Sequence, residues 1–324
     1  PPPPPYEPEP VPGPERRAVD SAVHLATLPW RAAKLGAQLL LQGASVVRHA
    51  FDDVAPAQPF SAPRTILNGR LTSARRFAWL QRRLDEAVAV KEAFGVTLND
   101  VVLTVTGGAL RSWLLDHDAL PDRPLVAQVP VALRSSYDGE VGTKVGAMFA
   151  SLATHLDDPV DRLRAVHDST TAAKRMRREL DDAHLVNLTD TTPPALIDLA
   201  ARTFCRLGLE EAAPPAFNLI VSNVPGPPFD LYVLGHRIDA MLPMGPLLYG
   251  SGLNVTVVSH AGRLDIGLMS CPDLVPDLDG LAARFGPALD ELLAAAGATP
   301  PPTGPRETPP RSEAPPARPA GPNP

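Results

Sequence analysis

Half of this chain's prolines crowd into its two ends, and that distribution bounds what can fold. Residues 1–14 hold 9 prolines and residues 300–324 hold 11, so 20 of the 40 lie in 39 terminal residues. Proline fixes φ and offers no N–H, so such runs favour extended, polyproline-like chain with little apolar material to bury. A core must come from roughly residues 15–298, which is length enough for a substantial one. The chain begins at Pro1 and its first methionine is Met148. Residues 1–14 are therefore expected to be a Pro-rich linker after a missing N-terminal portion. Residues 15–64 read as a connecting helical segment, 65–298 as the folded domain and 299–324 as a disordered Pro-rich tail.

Composition removes several classes. Two cysteines, Cys205 and Cys271, cannot frame a chain of 324 residues and have no metal-ligand spacing. A formal net charge of −6 with scattered basic residues gives no electrostatic footprint for nucleic acid. The uncharged stretch Met241–Val258 is broken by Pro243, Gly245, Pro246, Gly250 and Gly252. A lone helix in lipid could not keep that backbone hydrogen-bonded, so strands and turns are expected there.

Periodicity predicts helices over 15–51 (interrupted at Pro29), 83–94, 98–117, 159–180, 195–207 and 274–296. Strands are predicted at 76–80, 125–133, 144–155, 217–222, 232–241, 253–260 and 264–270, with Gly262 turning the last two into a hairpin. Strands partly alternating with long helices indicate an α/β fold, an α+β sandwich.

Two segments carry chemistry. In Thr97-Leu98-Asn99-Asp100, Thr97 as N-cap and Asp100 three residues on would close a capping box. That accounts for Thr97 and Asp100 but does not need Asn99, whose amide at a helix N-terminus can donate into a cleft. In Ser222-Asn223-Val224-Pro225-Gly226-Pro227-Pro228, prolines and glycine stiffen a loop at a strand end, with Ser222 and Asn223 at its root. A rigid chain reversal explains the prolines, and Asn223 suits either a turn or a ligand contact. The eight histidines (24, 49, 117, 155, 167, 184, 236 and 260) include no adjacent pair and no helical i, i+4 metal pair. An isolated His49-x-x-x-Asp53 sits at a predicted helix end with no glycine after it. Nucleophile elbows, phosphate loops and dinucleotide fingerprints are absent. Basic clusters at Arg75/Arg76, Arg82/Arg83 and Lys174–Arg178 read as solvated faces or as phosphate contacts.

Three segments in order resemble a known family. They are Thr97-Leu98-Asn99-Asp100-Val101-Val102-Leu103 with Gly107-Gly108-Ala109-Leu110-Arg111, then Val129-Pro130-Val131-Ala132-Leu133-Arg134. The third is the Ser222–Pro227 loop followed by Leu253–Ser259 and Gly262–Leu268. Over residues 20–297 this pattern is similar to the C-terminal half of the bacterial bifunctional wax ester synthase/diacylglycerol acyltransferases. The resemblance implies a chloramphenicol-acetyltransferase-like C-terminal domain with flanking helices, residues 65–298 being that domain. It implies acyl-CoA as donor substrate with no cofactor, and diacylglycerol or a long-chain alcohol as acceptor. It also implies a general-base histidine in a His-His-x-x-x-Asp-Gly motif of the N-terminal domain, the second His deprotonating the acceptor hydroxyl. This sequence contains no such motif, so no catalytic residue is assigned in it, and the missing N-terminal domain is expected as its partner. Asn99 and Asp100 match the family's Asn-Asp motif and would line the active site. Ser222, Asn223, Gly226 and Asn254 are substrate-channel candidates. Gly142-Thr143 departs from the family's Gly-Asn and puts a polar contact there in doubt.

The chain by itself is expected to be inactive or nearly so. A cytoplasmic location is expected, peripheral at the inner membrane or a lipid-droplet surface because the substrates are lipids. The helix predicted at 30–50, led by Trp30, would lie at that interface. Two other readings stay open: a non-catalytic binding or regulatory half that pairs with a catalytic partner, and a condensation-type acyltransferase with another acceptor.

Overall fold

A computed structural model describes residues 60–133, 144–182, 214–248 and 250–297, with Gly13 and Ala57. The 1–14 linker apart from Gly13, most of the 15–64 segment with its expected interfacial helix and His49, the helix expected over 195–207, Thr143, Cys205 and the tail lie outside the described residues. In chain order the elements are β1 (Arg76–Arg83), α1 (Leu84–Phe94), α2 (Leu98–Asp116), β2 (Val126–Leu133), β3 (Lys144–Ser151) and α3 (Pro159–Asp182). They continue with β4 (Leu219–Pro225), β5 (Tyr232–Val233), β6 (His236–Arg237), β7 (Leu253–His260), β8 (Arg263–Ser270), α4 (Leu278–Ala283) and α5 (Phe285–Ala295).

Six strands form one mixed sheet in the order β1-β8-β7-β4-β2-β3, with β5 and β6 as a separate short hairpin. The central β7, β4 and β2 run parallel, and β8 and β3 flank them antiparallel. Alternation decides the layers. Leu219, Val221, Leu253, Val255, Val257, Leu264, Ile266 and Leu268 share one core with residues of all five helices, so the helices cover one face. α2 is buried nearly all round, with Leu103, Leu110, Trp113 and Leu114 fully enclosed, as a central core helix must be. Truncating such a side chain to Ala costs about 2–5 kcal/mol.

The other sheet face is polar and is strapped by residues 239–248. Asp265, fully buried, accepts hydrogen bonds from Gln81 Nε2 (2.6 Å) and the Met241 N–H (2.7 Å). Asn254 donates to the Pro246 carbonyl at 2.9 Å and accepts from Thr256 at 2.7 Å. Gly267 and Gly245 let the strap lie this close, since a Cβ on either would strike the Pro243 carbonyl or the Asn254 amide.

Most elements follow the sequence pattern; β1 runs past Leu80 to Arg83 because its pairing with β8 extends to Arg83–Arg263, and four others depart from it. β3 stops at Ser151 rather than 155, where its partner β2 begins at Val126 and Ala153 turns the chain at φ 48°. β4 continues to Pro225, because its pairing with β7 runs to Pro225–Ser259, so Ser222 and Asn223 are strand residues and not the root of a loop. The strand predicted over 232–241 is instead the short β5–β6 hairpin, reversed at Leu234 and Gly235, both left-handed. The last helix is split at Arg284, where Pro287 has no N–H to continue the ladder. Among the described residues no single helix is long and apolar enough to cross a membrane. α1 and α2 would be long and apolar enough only as a pair, and they bend by 104°.

Candidate active site

The first turn of α2 carries Asn99 and Asp100. Val101 and the following Val102 line a small apolar gap with Val257, the register partner of Asn223 in β4.

The turn is built by the predicted capping box. Thr97 Oγ1 accepts from the Asp100 N–H (3.3 Å), and Asp100 Oδ2 accepts from the Thr97 N–H (2.9 Å). The carboxylate does more than cap. It is fully buried, its Oδ2 also lies 2.9 Å from His167 Nδ1, and its Oδ1 accepts from Thr170 Oγ1 at 2.6 Å, both on α3. Burial disfavours the charge, but the hydrogen bonds from Thr170, His167 and Thr97 outweigh it and hold the Asp100 pKa below its ordinary value. Asp100 thus joins α2 to α3 as a carboxylate. Asn99, beside it, is half-buried and has no hydrogen-bond partner among the described residues. Gly107 brings α2 against the end of β3, where a Cβ would strike the Leu152 carbonyl, and Gly108 leaves room for the buried Arg162 guanidinium of α3.

The other candidates divide between the two faces. Asn223 follows Leu219 and Val221 onto the helix face, the side of Asn99 and Asp100. Ser222 faces the strapped side with Thr256, its register partner, and with Asn254. The Asn254 amide is 2% exposed and is already bonded to the strap, so its role in this structure is to hold residues 241–248 in place. Gly226 donates its N–H to the Ser259 carbonyl at 2.9 Å, and a side chain at that position would collide with this oxygen. The structure therefore puts Asn99, Asp100 and Asn223 on the helix side of the sheet, while Ser222 and Asn254 lie on the strapped side.

Sequence reasoning passed over His167 and Thr170. Thr170, fully buried, interrupts the apolar stripe Leu163, Val166, Ala173 of α3. A polar side chain inside such a stripe needs a buried partner, and that was the available signal.

The six-stranded mixed sheet with helices packed on one face places the chain in the α/β class. The solved wax ester synthase/diacylglycerol acyltransferase from Marinobacter aquaeolei VT8 superposes on 73% of this chain and 53% of its own, with TM-score 0.57 and 32% identity. Two models of that family match the sequence: the wax ester synthase/diacylglycerol acyltransferase catalytic domain over residues 1–102, and the WS/DGAT C-terminal domain over 141–293. A Mycobacterium tuberculosis protein carrying the name diacylglycerol O-acyltransferase is 39% identical over 276 residues, 85% of this chain and 55% of its own. A second from that organism is 45% identical over 241 residues, 74% of this chain and 52% of its own. The chain belongs to the wax ester synthase/diacylglycerol acyltransferase family. It spans about half the length of the curated relatives it matches.

One expectation is corrected by these matches. The resemblance set the catalytic domain wholly outside this chain, yet the catalytic-domain model matches residues 1–102, which includes the 1–14 proline run, β1, α1 and the Asn99-Asp100 turn. The reading that the N-terminal domain is missing is not supported. The core of the described residues joins β1 and α1, inside that match, to β7 and β8 of the C-terminal match.

Proposed function

We propose that this chain forms one wall of an acyl-CoA-dependent O-acyltransferase site, in which an acyl group passes to the hydroxyl of diacylglycerol or of a long-chain alcohol. The observation that carries the reading is the buried Asp100 carboxylate that ties the first turn of α2 to α3. It fixes the first turn of α2, so that Asn99 presents a donor amide there. Developing negative charge on the thioester oxygen would meet that amide and the positive end of a 19-residue helix.

An acyl transfer also needs a base for the acceptor hydroxyl. The sequence has no adjacent histidine pair, and no residue of this chain is assigned as that base. Residues 65–298 act as the acyltransferase wall. Asn223 contributes to the channel at the end of β4. The site lies in the cytoplasm and meets membrane or lipid-droplet surfaces peripherally, where its acceptors reside.

The test is transfer of labelled palmitate from palmitoyl-CoA, with diacylglycerol and hexadecanol as acceptors. Acceptor-dependent ester formation is the expected result. Failure to acylate either acceptor would overturn the reading.

A further inference from the structure

Residues 239–248 cross the strapped face with an apolar row turned to solvent. The Met241 N–H meets Asp265, the Pro243 carbonyl lies over Gly267, and Gly245 lies against Asn254, the register partner of Met269. The strap thus advances two residues for every two of β8, which is strand spacing. Its burial alternates to match: Met241, Pro243, Gly245 and Leu247 are half-buried, while Leu242, Met244, Pro246 and Leu248 are exposed. The outward row is held outward, because Asp265, Asn254 and Gln81 tie the backbone beneath it to the sheet. Apolar exposure continues onto Trp79, which shares its face of β1 with Gln81, and onto Tyr232, Val233 and Leu234 of the β5–β6 hairpin, the last 95% exposed. Together with Phe229 these side chains expose roughly 900 Å², beyond the largest apolar patch of an ordinary monomer and comparable with the area each partner gives to a stable dimer.

Charge points to a like surface as the occupant. No charged residue occurs from Ala240 to Gly252. The ions beside the hairpin are paired within the chain, Arg237 with Asp239 at 3.0 Å and Arg263 with Asp230 at 3.9 Å. Nothing here repels an identical face or calls for a charged partner. Lipid is the poorer occupant. The N–H groups of Leu242, Met244, Gly245 and Leu247 have no partner among the described residues, and hydrocarbon would leave them unsatisfied. A protein interface keeps bridging water for such groups. Pro243 and Pro246 interrupt the N–H row, so contact is by side-chain packing and not by strand pairing. We propose that the strapped face is a homodimer interface, on which a second copy of this chain packs its own strap and hairpin about a twofold axis. The inference goes beyond the acyltransferase reading and does not depend on it.

Sedimentation velocity of the chain over a concentration series tests this. The expected result is a monomer–dimer equilibrium that stops at twice the chain mass. Met244→Lys and Leu234→Asp, both at exposed positions, should each raise the dimer dissociation constant by about tenfold or more, as loss of an interface anchor does. Their circular dichroism should match wild type. Leu115→Asp, at another exposed leucine, on α2 in the helix layer, should leave the constant unchanged. A wild type that stays monomeric at every concentration overturns the proposal, as does a dimer that M244K and L234D leave intact. Mass that climbs without stopping at two copies overturns the twofold interface in favour of open assembly. A monomeric chain that binds phosphatidylcholine vesicles, and loses that binding in M244K, overturns it in favour of a lipid surface.

Discussion

Removing the Asp100 carboxylate should loosen the junction of α2 with α3, and the structure sets the size of the effect. The side chain is fully buried and accepts three hydrogen bonds, from the Thr97 N–H, His167 Nδ1–H and Thr170 Oγ1–H. Hydrogen bonds to a charged group contribute about 1.5–3 kcal/mol each. Asp100→Ala would leave Thr97 N–H and His167 Nδ1–H without acceptors, whereas Thr170 can turn wholly to the His167 carbonyl, already 3.0 Å away. A loss of about 3–5 kcal/mol is expected, in the range for breaking a buried charged pair. Asp100→Asn should cost only about 1–2 kcal/mol. Its amide oxygen can face Thr97 and His167, and its NH2 can donate to Thr170 Oγ1 once that hydroxyl has turned to His167. Urea unfolding at neutral pH reads both values; with m of about 2–3 kcal/mol/M the alanine midpoint falls by about 1–2 M. The pH dependence follows from the depressed pKa of Asp100. A lowered folded-state pKa stabilises fully above the unfolded value of about 3.9, and that contribution fades as pH falls through the folded value. The gap between wild type and Asp100→Asn should therefore narrow only in that acid range. An alanine variant within about 1 kcal/mol of wild type would refute the reasoning, as would an asparagine variant as damaged as alanine.

Three further outcomes follow from close contacts elsewhere. Gly107→Ala drives a methyl onto the Leu152 carbonyl and should lower stability by about 1–3 kcal/mol, read as a reduced thermal midpoint. Asn254→Leu removes the bond to the Pro246 carbonyl and should expose residues 241–248 to limited proteolysis while β7 and β8 stay protected. Arg82→Met takes away the guanidinium that pairs at 2.8 Å with Glu86, itself 4% exposed, and should cost about 2–3 kcal/mol. Glu86→Gln in the same chain should return part of that loss, as a two-variant cycle would show.

The sequence made the regular elements legible wherever local chemistry decides them. Gly95 as a left-handed C-cap, the Thr97–Asp100 capping box and the Ala261–Gly262 hairpin turn all lie where single residues dictate backbone conformation. Strand ends were less legible, because partners set them: β4 runs to Pro225 only because β7 pairs with it that far. The sheet order, with β4 placed between β7 and β2, arises from non-local pairing that no local pattern encodes. The site was half readable. Asn99 and Asp100 stood out by their position at a helix start, but the partner of Asp100 lies 67 residues away on α3, within what reads as a charged surface helix. Ser222 and Asn223 look equivalent in sequence, yet strand alternation sends their side chains to opposite faces.

The central claim of the proposed function is that substrate sits around the first turn of α2. Hydrogen exchange of the full-length gene product, with and without palmitoyl-CoA, tests it most directly. The account predicts slowed exchange in peptides covering residues 97–102 and 223–226, with the strap at 241–248 unchanged. Protection confined to the strapped face, with the α2 turn unaffected by the ligand, would contradict it.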